Sequence, residues 1–243
     1  YSRVTQPFVS FPTMMESMLP APLSKKSAVR AMQTFVHVAA ALAFLHHSPL
    51  GTLLHADLRP AHILVRTAVG GGPVQLTGLA NLVLLGGSGA SNAVPAEWIP
   101  GCCQRADAGT LPREASTHSP ECDMCRPVGT PSDVYQLGLR FAEFAASVSD
   151  PTFNLPLDLS LASHFEEGDW TGRTQSIMFA LPASIDKTFP GLRSVLASCL
   201  DIVPAQRPSA MHLVQLLRYG LKEMRAGGGG AAVKTKQNNA TKG

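Results

Sequence analysis

The sequence predicts an α+β domain that is mainly helical, and three observations carry that expectation. Between Ser24 and His47, apolar residues recur as Val29, Met32, Phe35, Val36, Ala39, Leu42 and Leu45. That spacing of three and four places them on one face of a helix of about 20 residues. Thr130-Pro131-Ser132-Asp133 reads as a second helix start, with Thr130 as cap, Pro131 in the first turn and Asp133 at the positive end of the dipole. The following VYQLGLRFAEFAAS is apolar on nearly every side, as suits a helix in the middle of a domain. Third, the short apolar runs Leu53-Leu54 and Ile63-Leu64-Val65 flank a polar stretch, and Gly70 to Pro73 read as a plain turn between two short strands.

At 243 residues, with 45% apolar and 15% charged residues, the chain has a globular composition and can bury a core. A formal charge of +3, with Lys and Arg scattered outside the tail, excludes nucleic acid as the expected partner. No apolar run suggests a transmembrane span, and the first residues lack a charged start followed by an apolar signal core. The expectation is an intracellular, cytoplasmic protein with protein partners. Tyr1 in place of Met reads as the start of a fragment.

The polar stretch begins HADLRPAH at residue 55. Asp57 is a short carboxylate in a loop between two strands, a place where a fold fixes a base or a metal ligand. An Asx-type turn ended by Pro60 accounts for it equally. The order His55-x-Asp57-Leu58-Arg59-Pro60-x-x-Ile63-Leu64 resembles the protein-kinase catalytic loop H-R-D-L-K-P-x-N with its apolar strand. Two further stretches resemble the same superfamily in the same order. Ser132-Asp133-Val134-Tyr135-x-x-Gly138 is similar to the opening of the central kinase helix, and CLDIVPAQRPS from Cys199 to the motif C-L-x-x-x-P-x-x-R-P-S.

The resemblance implies a kinase-like C-terminal lobe, with short β-hairpins around the catalytic loop. Asp57 would be the catalytic base, and Arg59, in the lysine position, would keep positive charge near the transferred phosphate. Asp133 would hold the loop backbone, and His55 would be structural. Pro95-Ala96-Glu97 resembles the closing A-P-E with two letters exchanged, so Glu97 would pair with Arg207. Residues 1–23 would be the end of the N-terminal lobe and the hinge, starting as a strand that breaks at Pro7 and Pro12. Gln6 and Phe8 would offer backbone groups to a nucleotide base, although a plain edge strand fits those residues as well. His62 and Thr77 complete the candidate nucleotide-binding set.

The departures concern metal chemistry. Ala56 stands in place of the arginine that answers a phosphorylated activation loop. His62 replaces the asparagine that helps to hold the second magnesium ion, and neutral imidazole suits that hard cation poorly. Leu76-Thr77-Gly78-Leu79-Ala80 stands where D-F-G is expected, and no carboxylate lies between Val65 and Glu97. Magnesium binding is therefore doubtful and ATP binding uncertain from sequence. The expected function is that of a pseudokinase acting as scaffold or allosteric regulator; the alternative is an active Ser/Thr-type kinase with atypical metal binding.

Residues 98–129 read as a Cys-containing insertion. Cys122 and Cys125 have metal-knuckle spacing, and Cys102, Cys103 or His118 would complete a tetrahedral zinc site; unconnected thiols in a flexible loop are the other reading. Disulfides are disfavoured in an intracellular protein. A short helix is expected near Gln175 to Ala180 and another over 191–200. The lobe would span 24–222, and the low-complexity tail 223–243 is expected to be disordered.

Overall fold

Helix α1 (Lys25–His46) forms where the three-and-four spacing places it, and the expected face is the buried one, with Met32, Phe35, Val36, Ala39 and Leu42 inside. The computed structural model describes residues 8–10, 25–66, 74–85, 93–98, 119–124, 126–149, 174, 175, 177–179 and 181–226. Along the chain, α1 is preceded by β1 (Phe8–Ser10) and followed by β2 (Leu53–Leu54), β3 (Ile63–Arg66), β4 (Val74–Leu76), β5 (Val83–Leu84) and β6 (Ala93–Val94). Then come α2 (Pro120–Asp123), β7 (Val128–Gly129), α3 (Thr130–Ser149), α4 (Ser184–Thr188), α5 (Leu192–Cys199) and α6 (Ala210–Ala226). The described residues are thus mainly helical with few, short strands.

One core unites the helices. Phe35 of α1 stacks on Phe141 of α3 at 4.1 Å between centroids, meets Phe144 edge-on at 5.0 Å and lies 6.3 Å from Phe189. Such pairs add about 0.5–1.5 kcal/mol each to what burial of the rings supplies. Helix α6 lies along α1, contributing Leu213, Val214, Leu217 and Leu221 to the same core. Contrary to the sequence expectation, α1 is long and apolar enough to cross a membrane by length and composition. Its apolar face is instead covered by α3, α6 and the Phe cluster.

The strands are small and local. β1, β3 and β4 form an antiparallel sheet in that order, with Val9 opposite Val65 and Ile63 opposite Leu76. β3 and β4 are the expected hairpin. β1 is an edge strand among the described residues, and the strand expected before Pro7 lies outside them. β2 pairs with β5, and β6 with β7. In that last pairing Val128, near the end of the 98–129 stretch, is built into a sheet with Val94 and is buried.

Thr174, Gln175 and Ile177 to Phe179 are helical, as expected, and α5 buries Leu192, Leu196 and Cys199. The glycine turn at 70–73 and the tail beyond Ala226 lie outside the described residues.

Candidate functional site

The site is built where the β2–β3 loop meets the start of α3. Asp133 is fully buried and spends its carboxylate on that loop: Oδ2 accepts from the backbone N–H of His55 at 2.8 Å and Oδ1 from that of Ala56 at 2.9 Å. His46, at the end of α1, donates its Nε2–H to Oδ2 at 2.9 Å. One turn along α3, Gln136 accepts from the Leu58 N–H at 2.9 Å. These bonds hold Ala56 at φ 65°, the one positive φ at a non-glycine among the described residues. A side chain in that region costs on the order of 1–2 kcal/mol, which only an over-determined loop sustains.

His55 lies beneath the loop with both ring nitrogens engaged. Nε2–H donates to the Thr77 carbonyl at 3.0 Å, and Nδ1 accepts from the Asp57 N–H at 3.4 Å, so the neutral Nε2–H tautomer satisfies both partners. Burial lowers its pKa below 6.5; the Asp133 charge and the Thr77 carbonyl oppose that shift, and His62 adds to it.

Asp57 is half-buried and surrounded by donors from its own chain. Arg59 clasps the carboxylate at both oxygens, with Nε 2.7 Å from Oδ1 and Nη2 donating to Oδ2 at 2.8 Å. Asn81, at the end of the turn Leu79–Asn81, donates to Oδ2 at 3.1 Å. His62 Nδ1–H donates to the Asp57 carbonyl at 2.8 Å. Gly78 has φ 76°, and a Cβ there would overlap the His62 ring. Gly78 thus makes room for the His62 ring, which stands at the position of the family's metal-holding asparagine in the resemblance. Thr77 is tied inward, its N–H and Oγ1 donating to the His62 carbonyl at 2.8 and 3.3 Å.

Residues 55, 57, 59, 62, 77 and 133 are therefore brought together as the sequence suggested; Gln6 lies outside the described residues, and Phe8 is paired with Arg66 in the sheet. The expected pairing of Glu97 with Arg207 is corrected. Arg207 donates from Nη1 and Nη2 to the two carboxylate oxygens of Glu121 at 2.6 and 3.1 Å, with both side chains buried and Arg207 lying over the Tyr135 ring. The signal was legible: Pro120-Glu121 carries the last two letters of A-P-E in order, whereas Pro95-Ala96-Glu97 does not. Asn81, Gln136 and His46 had no such signal, because the resemblance assigned those positions nothing.

Cys122, offered as a zinc ligand, is disulfide-bonded and buried. Its sulfur is thereby removed from the thiolate role that zinc requires. Cys102, Cys103, Cys125 and His118 lie outside the described residues. No protein-family model matches the chain, and no curated protein matches it, so the reading of the site rests on these contacts.

Proposed function

We propose that this chain is a protein-kinase-like C-terminal lobe whose catalytic loop serves as a structural element, a pseudokinase that acts through protein partners as scaffold or allosteric regulator. The clasp of Arg59 on Asp57, reinforced by Asn81, carries this reading. A general base must aim a free lone pair at the hydroxyl it deprotonates. Here Oδ2 already accepts from Arg59 and Asn81 while Oδ1 lies in ion-pair contact with Arg59 Nε, and freeing the carboxylate forfeits that Arg–carboxylate pair. Magnesium fits the surroundings poorly, since His62 presents a donating Nδ1–H and Gly78 no side chain at all.

Calorimetric titration of the full chain with ATP, with and without magnesium, tests the reading. The expected result is no magnesium-dependent binding; micromolar binding that requires magnesium would overturn it. The braced loop favours a second reading as an active kinase, because Asp133 and Gln136 hold Asp57 in one place as a catalytic residue requires. On that reading, phosphate incorporation from labelled ATP falls at least about a hundredfold in Asp57→Asn. Equal signals from both proteins reject it.

A further inference from the structure

The peptide groups of the 55–58 loop are held unequally. The N–H groups of His55, Ala56 and Leu58 reach side-chain oxygens of α3 at 2.8, 2.9 and 2.9 Å. The peptide between Ala56 and Asp57 has long bonds at both ends: its N–H donates to His55 Nδ1 at 3.4 Å, and its carbonyl accepts from Gln136 Nε2 at 3.5 Å. It also adjoins the strained φ of Ala56. One loosely held peptide therefore sits between firmly held ones, and a titratable ring is the acceptor for its N–H.

The His55 ring is closed to solvent. A second ring proton would sit on Nδ1 and point at the Asp57 N–H, donor against donor. Flipping the ring gives no relief, because both nitrogens of an imidazolium carry hydrogen. We propose that His55 is a pH-operated latch on the Ala56–Asp57 peptide: the neutral ring closes it, and the imidazolium releases the peptide to turn. Charged and titratable groups face the ring from each neighbouring element. His46 at the end of α1 shares Asp133 Oδ2 with the His55 N–H, Asp57 and Arg59 come from the loop, and the His62 ring centroid is 6.4 Å away. Burial opposes the imidazolium most; Asp133 and the Thr77 carbonyl favour it, His62 opposes it and Asp57 favours it. The latch is closed at neutral pH and opens with acid. Turning this peptide re-aims Asp57 and Arg59, whose side chain is 37% exposed, so acid alters the surface that the loop offers. Nucleotide has no part in the latch, and its test is independent of the ATP titration.

That test follows the full chain by NMR at pH 7.5 and pH 5. At the higher pH the His55 ring nitrogens are expected to report the Nε2–H tautomer; the Nδ1–H tautomer would overturn the proposal. At the lower pH the Asp57 amide should exchange about tenfold faster, after correction for intrinsic rates, while Ala56 and Leu58 change less than about twofold. An unchanged Asp57 amide, or all three amides rising together, would remove the separate hinge and the latch with it. His55→Gln keeps a donor and an acceptor without a titrating proton, and its Asp57 amide should be indifferent to pH; a response like that of the wild type would also reject the latch. If the variant does not fold, the wild type decides alone. The Asp57 amide shift and the His55 ring should then titrate with one midpoint, and a difference beyond about half a pH unit would sink the proposal.

Discussion

Ala56 sits at φ 65° because Asp133 accepts its N–H and that of His55 with opposite oxygens. Removing that carboxylate strands three buried donors, counting His46, and releases the strain at once. Asp133→Ala should cost about 3–5 kcal/mol in urea unfolding, since each buried donor left without an acceptor costs about 1–3 kcal/mol. A loss below about 1 kcal/mol would show that the loop is held by other means. Gly78 and His62 are coupled differently. At φ 76° and with the imidazole against it, Gly78→Ala should destabilise by about 2–4 kcal/mol, combining left-handed strain with overpacking. His62→Ala should recover the overpacking part, so the double-mutant cycle closes with a coupling of 1 kcal/mol or more in magnitude; strict additivity would separate the two sites. The sequence made Asp57, His55 and Asp133 legible because short motifs name them. It concealed the clasp on Asp57, since Asn81 reaches it only through a turn whose geometry no local pattern encodes.

Helix positions were the easiest feature to read, since a period of three and four records burial directly. The face of α1 is the expected one, α5 falls within the expected 191–200, and α3 begins at Thr130. Partner choice between elements was harder, because complementarity across long sequence separations leaves no periodic trace. Arg207 pairs with Glu121 of α2, whose Pro120-Glu121 signal lay within a stretch whose Gly, Pro and Cys content resembled a loop. Arg207→Ala should lower stability by about 3–5 kcal/mol, because it leaves Glu121 buried without its cation. Equilibrium denaturation checks this, and a cost under 1 kcal/mol would assign the pair no structural weight. Between α3 and α5 the spacing is set by Gly138, where a Cβ would stand 2.7 Å from Cys199 Cβ. Gly138→Ala therefore gains helix propensity and loses packing. Overpacking of about 1–3 kcal/mol outweighs the ~1 kcal/mol of propensity, and a fall in Tm is the expected outcome.

The whole molecule should report His55 in its acid response. Its folded pKa lies below 6.5, so as pH falls through 6.5 the unfolded chain takes up a proton that the native state refuses. Stability then rises with pH across the window from the lowered value to 6.5, and is lost as pH falls through it. Glu143 acts in the opposite sense above 4.5, because burial raises its pKa despite Arg140 and the native state there holds the extra proton. Comparing wild type with His55→Gln by urea unfolding at pH 7.5 and 5 cancels the Glu143 contribution. Wild type should lose more stability over that interval, and equal losses would remove His55 from the account. The clasp of Arg59 on Asp57 also governs how the loop is seen from a distance. The pair presents opposite charges a hydrogen bond apart, and beyond a Debye length such a doublet is almost silent. A partner docking there draws no long-range steering from this pair, so its association rate should depend little on salt through the site itself, and selectivity at that spot has to come from shape at contact.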